Sequence, residues 1–206
     1  MADKQSSEVR RKVALFEGLA AGALFGIAAI VIRLLEGVGV FSIAFWRLAI
    51  AFCVLAAIVF LLRKPFGFSF LKENFRQVLF LGVLLGLHFV LFVSAVMDTT
   101  ILNATILVNT SPIWSLIVSA LLLDVKPTRL AVSGLFTSFL GVSIIAYADA
   151  TSPVFSLNLK GDLEALLAAV IEAFYLSYGR GIRRKVPILS LMICGYWVST
   201  FTVLVA

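Results

Sequence analysis

The longest uncharged stretch of this chain runs between Asp98 and Asp124. At a rise of about 1.5 Å per residue, a helix of this length crosses the roughly 30 Å hydrocarbon core of a bilayer. The stretch is nevertheless rich in threonine, asparagine and serine, and Pro112 near its middle removes one backbone N–H. Inside a bilayer, such a break requires neighbouring helices, hydroxyl groups or water to satisfy the backbone. We therefore predict a membrane-spanning helix over 98–124 that is enclosed by other helices and has Pro112 as its hinge.

The composition extends this prediction to the whole chain. Hydrophobic residues make up 62% and charged residues 14%, and the mean hydropathy is +1.10. A soluble domain is about half apolar and about a quarter charged. The apolar residues form long runs between short charged segments, which is typical of an all-α integral membrane protein. We predict a helical bundle of about seven transmembrane helices, at roughly 13–35, 40–62, 75–97, 98–124, 129–147, 161–179 and from 188 onwards.

The charged residues predict an orientation in the membrane. The chain carries 17 lysine and arginine residues and a net charge of +6. When the N-terminal tail 1–12 is placed in the cytoplasm, most of these residues fall in cytoplasmic segments and the outer loops are mainly acidic, as the positive-inside rule requires. The prediction is an integral protein of the cytoplasmic membrane with a cytoplasmic N-terminus. Its positive charge is then available to anionic lipid, and no nucleic-acid partner is expected.

The sequence lacks the usual catalytic patterns. Cys53 and Cys194 lie inside apolar runs and His88 is the single histidine, so neither a disulfide framework nor a metal cluster is expected. The sequence also shows no nucleophile–base pair and no phosphate-binding loop. We expect no enzyme activity, no cofactor and no metal site.

Three ionisable side chains lie inside predicted spans. Arg47 should face protein or water, because a guanidinium in lipid costs at least a few kcal/mol; bonding to helix-end carbonyls and attraction of an anion are the two alternatives. His88 fits an interhelical hydrogen bond better than a titrating role. Glu172, near the middle of the sixth helix, is a functional candidate by default, with a protonated or paired structural glutamate as the alternative.

The fourth predicted helix adds polar candidates on two faces. At about 100° per residue, Asn103, Thr110 and Trp114 share one face, and Asn109 and Pro112 lie on roughly the opposite one. One face is expected to be structural and the other to line a cavity, and the sequence leaves open which. The predicted substrate-binding residues are Arg47, His88, Asn103, Asn109, Thr110, Trp114, Glu172 and Tyr175.

Glycines at helical spacing predict where helices pack closely. Gly18, Gly22 and Gly26 share one face of the first helix, and Gly82 and Gly86 form a pair in the third.

The stripe of small residues in the first helix, Gly18, Gly22 and Gly26, also indicates a faint internal repeat. It aligns with a second stripe in the sixth helix, at Gly161, Ala165 and Ala169. Because five predicted spans separate the starts of these two helices, they enter the membrane from opposite sides. That is the inverted topology found in many secondary transporters.

Several segments resemble the EamA-domain branch of the drug/metabolite transporter superfamily. They are the glycine-bearing first helix, FWRL around Arg47, the stretch from His88 through VSAVMDTTILNATILVNTSPIW to LLLDVKP, and GLFTSFLGVSIIAY at 134–147. The resemblance covers essentially the whole chain. It implies two inverted five-helix repeats around a central cavity and transport by alternating access, with helices one, three, four and six lining the cavity.

The resemblance also implies a domain organisation. Residues 13–147 would form a complete five-helix repeat, 148–160 an outer linker, and 161–206 the start of a second repeat that lacks its last three helices. The expected partners are the lipid bilayer, a small-molecule substrate, protons as a coupling ion through Glu172, and either a second copy of the chain or a missing C-terminal half.

The predicted function is that of a secondary transporter that moves a small metabolite or drug-like solute across the cytoplasmic membrane. The alternative is a membrane scaffold or assembly subunit without transport of its own, or an inactive fragment of a transporter. A transporter should hold a polar, water-accessible cavity at mid-membrane, whereas a scaffold should fill that volume with apolar side chains.

Overall fold

The computed structural model describes residues 2–63, 73–123, 128–150, 158–183 and 187–205. Within these ranges, all regular secondary structure is helical, which confirms the predicted all-α bundle. The helices are α1 (Ala2–Leu34), α2 (Val40–Leu61), α3 (Phe75–Asp98), α4 (Ile101–Val108), α5 (Ser111–Leu123), α6 (Arg129–Ala150), α7 (Leu159–Arg183) and α8 (Ile188–Val205).

Six segments of the described residues are long and apolar enough to cross a membrane. They are Arg11–Leu34, Val40–Leu61, Phe75–Asp98, Ile101–Leu121, Leu159–Arg183 and Ile188–Val205. Helix α6 spans 22 residues at the predicted position of a further helix. Large apolar side chains point outward from the bundle: Phe60 and Leu130 are each 83% exposed. Such a surface is costly in water and favourable in lipid, so the chain is an integral membrane protein.

The ends of two predicted segments differ from the structure. Helix α1 begins at Ala2, so residues 2–12, predicted as a polar tail, continue the first helix. The predicted linker 148–160 is helical at both ends, and its central part, 151–157, lies outside the described residues, as does Asp124.

The predicted fourth helix is divided into two, so the single helix over 98–124 is wrong. Thr100 caps the start of α4, because its Oγ1 accepts a hydrogen bond from the backbone N–H of Asn103 at 3.0 Å. Helix α4 ends at Val108 and α5 begins at Ser111. Pro112 explains the break: it lacks an N–H, and its ring displaces the carbonyl of Val108 four residues earlier.

The centre of the bundle is α3, not the predicted fourth span. Helix α3 packs most extensively against α7 and α8 and also contacts α2, α1 and α4, whereas α5 packs mainly against α7. Leu81, Phe92 and Val93 of α3 are buried almost completely.

Small residues explain why α3 is central. A Cβ on Gly82 would lie 2.4 Å from the Cβ of Val198 in α8, and one on Gly86 would lie 3.2 Å from the carbonyl oxygen of Ser199. On the other side of α3, a Cβ on Gly161 of α7 would lie 2.7 Å from the backbone nitrogen of Thr99. These glycines therefore let three helix backbones approach closely. The stripe of α1 is different, because an added Cβ meets no atom within 4 Å at Gly18, Gly22 or Gly26.

Candidate functional site

A cavity of about 280 Å³ lies at the centre of the bundle, between α1, α2, α3, α7 and α8. Its volume is near the lower limit of about 300 Å³ that is usual for small-molecule sites, and its mixture of aromatic walls with a few polar groups is typical of them. The aromatic and apolar walls are Phe25, Leu85, Phe89, Phe92, Met192 and Tyr196.

Half of the predicted substrate-binding residues meet in this cavity. The four that line it are Arg47, His88, Glu172 and Tyr175. The other four lie on α4, on α5 and at the break between them, and they are not among the lining residues: Asn103, Asn109, Thr110 and Trp114. The fourth span contributes no side chain to this cavity, whereas the second and seventh spans do, and substrate binding by Asn103, Asn109, Thr110 and Trp114 stays a prediction.

The polar residues at the break bond to their own helices instead. Asn109 Nδ2 donates to the carbonyl of Thr105 at 2.7 Å, and Thr110 Oγ1 donates to the carbonyl of Leu107 at 2.6 Å. Trp114 Nε1 donates to Thr110 Oγ1 at 3.2 Å. These side chains satisfy the last turn of α4, where the backbone ladder is interrupted.

Arg47 provides the positive charge of the cavity. The guanidinium carbon lies 4.9 Å from the ring centroid of Phe89 and 5.7 Å from that of Phe92, which are cation–π distances. Its Nη1 is buried and has no hydrogen-bond partner among the residues that the structure describes. Within the same residues, no carboxylate forms an ion pair with Arg47.

His88 joins α3 to α7 while it faces the cavity. Its Nδ1 lies 3.0 Å from the carbonyl oxygen of Ala168. Because a carbonyl oxygen only accepts, Nδ1 donates this bond, which leaves Nε2 as an acceptor in the neutral ring. The ring lies parallel to that of Phe92, with an interplanar angle of 2° and centroids 6.3 Å apart.

Polar contacts join three helices at one end of the bundle. We call this the Asp98 end, where α3 finishes and α7 begins, and the opposite end the Arg183 end, where α7 finishes and α8 begins. At the Asp98 end, Arg33 of α1 donates from Nη1 to the carbonyl of Met97 at 2.9 Å and from Nη2 to the carbonyl of Thr99. These carbonyls belong to the C-terminal end of α3, where the helix itself offers no donor.

Two further interactions connect α3 to α7 at the same end. Thr99 Oγ1 donates to Asp162 Oδ1 at 2.8 Å. Lys160 Nζ lies 2.7 Å from Asp98 Oδ2 and 3.8 Å from Glu164 Oε1. We call this set of residues the polar clamp: Arg33, Asp98, Thr99, Lys160, Asp162 and Glu164.

The Arg183 end is more open. A second cavity, of about 220 Å³, lies there between α3, α7 and α8, and the exposed Arg183 is part of its wall. Tyr175 and Met192 line both this cavity and the central one, so they form the neck between the two. We call the two adjoining cavities the cleft.

Sequence reasoning missed several of these residues. Met192 and Tyr196 lie in α8, which is apolar on all sides and so offers no periodic signal for a cavity-facing side. Residues of the clamp such as Asp98 and Asp162 were recognisable only as acidic residues of outer segments. The sequence does not reveal which helix ends meet.

A family model gives independent information on the chain. It is the model of the EamA-like transporter family, and it matches residues 12–147. No curated protein and no solved structure matches the chain. The matched part is more than half of the chain and includes Arg47 and His88 of the central cavity. The chain therefore belongs to the EamA-like transporter family.

Proposed function

We propose that this protein is a secondary transporter that moves a small metabolite or drug-like solute across the cytoplasmic membrane by alternating access. The observation that carries the proposal is the central cavity, in which an arginine, a histidine and a glutamate lie among aromatic side chains inside an apolar bundle. Ionisable groups at this depth are costly, and they usually mark a substrate or ion pathway. A scaffold would be more stable with apolar side chains in this volume.

The different ends of the bundle support alternating access. The positive-inside rule places the N-terminus in the cytoplasm, so that the Asp98 end faces outward and the Arg183 end faces the cytoplasm. The polar clamp joins the helices on the outer side, and the cleft lies on the inner side. We take this conformation to be inward-facing, and transport requires the clamp to open.

The break between α4 and α5 is the proposed hinge. Pro112 prevents a continuous helix, and the bonds of Asn109 and Thr110 stay within the break. Helix α5 packs mainly against α7, and α4 packs against both α7 and α3, so the break lets α5 change its angle to α4 when α7 moves. A first five-helix repeat over 13–147, the start of an inverted second repeat over 161–206, and a second copy of the chain that completes the site are further parts of the proposal.

Transport can be tested with purified protein in lipid vesicles that are incubated with a metabolite mixture and analysed by mass spectrometry. Leu85→Trp places a large ring in the central cavity, and Leu130→Trp places the same ring on the exposed side of α6. We expect at least one solute to cross with the wild type and with Leu130→Trp, and to be blocked with Leu85→Trp. If no solute distinguishes the wild type from Leu85→Trp, the scaffold alternative is favoured.

Glu172 is the proposed proton-coupling group. It faces the cavity from α7, and the other ionisable side chains that line the cavity with it are Arg47, His88, Tyr175 and Tyr196. Transport that is coupled to Glu172 should respond to a pH gradient across the vesicle membrane. Glu172→Gln should abolish this response, because the amide cannot exchange a proton. An unchanged pH response in Glu172→Gln would exclude Glu172 as the coupling group.

A further inference from the structure

The positive charge of Arg47 forms no ion pair among the described residues, although Glu172 lines the same cavity. Its guanidinium lies against the face of Phe89, and its Nη1 has neither a hydrogen-bond partner nor a carboxylate beside it among the described residues. A cation in a low-dielectric site attracts an anion much more strongly than the same cation in water. The side chain already lines the cavity, so a rotation of the guanidinium brings Nη1 towards a bound ligand.

The walls beside Arg47 are flat and aromatic. The rings of Phe25 and Phe92 are stacked with centroids 5.1 Å apart, and the ring of His88 is parallel to that of Phe92. Aromatic faces prefer another flat ring in an offset-stacked or edge-to-face arrangement. The shape of the cavity therefore favours a planar ligand over a branched aliphatic one.

The cleft carries positive charge at both ends. Arg183 lines the outer part of the second cavity, and Arg47 lies beyond the neck formed by Tyr175 and Met192. Positive charges along a cleft with apolar walls attract anions, and Glu172 is the one carboxylate among the described residues that line the two cavities. An anion that enters from the Arg183 end is therefore attracted first by Arg183 and then by Arg47.

Glu172 restricts which chemical groups a ligand bound at Arg47 can have at its opposite end. A carboxylate only accepts hydrogen bonds, so it favours a donor such as a hydroxyl group and repels a second anionic group. Glu172 faces the cavity from α7 and Arg47 faces it from α2, without an ion pair between them. A ligand with its single charge at Arg47 can place an uncharged donor beside Glu172.

We infer that the central cavity binds a small aromatic carboxylate. Its carboxylate group lies at Arg47, its ring lies among the aromatic side chains that line the cavity, and a hydroxyl substituent points towards Glu172. This inference names the substrate class of the proposed transport site. It depends on the proposed function for transport of the ligand, but not for binding.

Binding can be measured by calorimetry on the full chain in lipid nanodiscs, with para-hydroxybenzoate and its uncharged amide, para-hydroxybenzamide, as probes. The two probes share one shape and differ in charge. We expect the acid to bind about tenfold more tightly than the amide, or better. Equal binding of the two, or tighter binding of the cation para-hydroxybenzylamine, would overturn the inference. This comparison uses the wild type alone, so misfolding of a variant cannot obscure it.

Substitutions distinguish the role of Arg47 in binding from that of Arg183. Arg47→Gln should remove the preference for the acid at low and at high salt, because Nη1 of Arg47 is buried and salt screens buried charges less than exposed ones. Arg183→Gln should weaken binding at low salt only, and its effect should vanish at about 1 M salt, where the Debye length is about 3 Å. Arg180→Gln is the matched control, since Arg180 is exposed and lines neither cavity. A folded Arg47→Gln variant that keeps the preference for the acid would overturn the inference.

Flux measurements distinguish failure of this inference from failure of the proposed function. If the acid binds preferentially but does not cross vesicle membranes, the inference stands and transport fails. If other solutes cross and the acid and the amide bind equally, transport stands and the inference fails.

Discussion

The two ends of the bundle are held together by different means. At the Asp98 end, Arg33 bonds to helix-end carbonyls, Thr99 bonds to α7 and Lys160 lies in an ion pair. At the Arg183 end, buried apolar side chains of α3, α7 and α8 pack beside a cavity with mostly apolar walls. The closed end thus depends on partly buried hydrogen bonds and on the close approach of α7 to the end of α3 at Gly161. Because each hydrogen bond has a small net free energy, closure by such bonds is reversible, whereas closure by interdigitated apolar side chains would resist opening.

The largest effect is expected from Gly161→Ala, which forces the helices apart at the Asp98 end. The new Cβ would lie 2.7 Å from the backbone nitrogen of Thr99 and 2.8 Å from the backbone carbon of Asp98, and backbone atoms cannot move aside. Overpacking of this kind lowers the free energy of unfolding by about 1–3 kcal/mol. The measurement is the thermal unfolding midpoint, Tm, of purified protein in detergent.

The matched control for this substitution lies on the same helix at the other end. A Cβ on Gly181 meets no atom within 4 Å. Gly181→Ala should leave Tm unchanged or raise it, because alanine favours a helix over glycine by up to about 1 kcal/mol. Equal Tm values for the two variants would contradict the close contact of α3 and α7.

The second effect is expected from Arg33→Met, which removes the donors for the carbonyls of Met97 and Thr99. The side chain is partly buried, so water replaces these donors only in part. We expect the free energy of unfolding to fall by about 1–2 kcal/mol. Arg180→Met, at an exposed position near the Arg183 end, is the control and should leave Tm unchanged. A similar loss in both variants would show that Arg33 has no special role in closing the Asp98 end.

The third-largest effect is expected from Ser177→Ala, which removes polar contacts that lie away from the cavity. Ser177 of α7 is fully buried, and its Oγ lies 3.2 Å from the Oγ of Ser115 and 3.1 Å from that of Ser119, both in α5. Interhelical hydrogen bonds in membranes contribute about 0.6 kcal/mol each on average. Because Ser177 makes two such contacts, Ser177→Ala should lower the free energy of unfolding by about 1 kcal/mol. Ser133→Ala is the control, because Ser133 bonds within α6 to Leu130. If Ser177→Ala has no effect, apolar packing alone holds α5 to α7.

The sequence could predict the helices and four of the ten residues that line the cavity, and most of this success has one physical reason. Lipid excludes charge, so long apolar runs mark spans, and ionisable side chains within them must face protein or water. Arg47, His88 and Glu172 were found in this way, and all three line the cavity. The same reasoning failed at Asn109 and Thr110, because a short polar side chain can also bond to its own helix. Helical periodicity does not show whether a polar side chain faces a cavity or bonds to its own helix.

The polar clamp could not be predicted for a different reason. Its contacts between helices join residues that are far apart in the chain, such as Arg33 and Met97. The pairing depends on which helix ends meet, and this depends on close packing at single positions such as Gly161. Helical spacing marked this glycine as a small residue, but spacing does not identify the helix that it contacts. The glycine stripe of α1 has the same spacing, yet a Cβ added there meets no atom of the described residues within 4 Å.

The smallest effect is expected from Lys160→Met, although this residue makes the shortest ion pair of the clamp, 2.7 Å from Asp98. Its side chain is 72% exposed, and surface ion pairs of this kind are weakened by solvent and salt. Tm should therefore stay close to that of the wild type, and any difference should disappear at about 1 M salt. If Lys160→Met instead lowers Tm as much as Arg33→Met, charge rather than carbonyl bonding closes the Asp98 end. Closure would then weaken with ionic strength, and the wild type itself would lose stability in high salt.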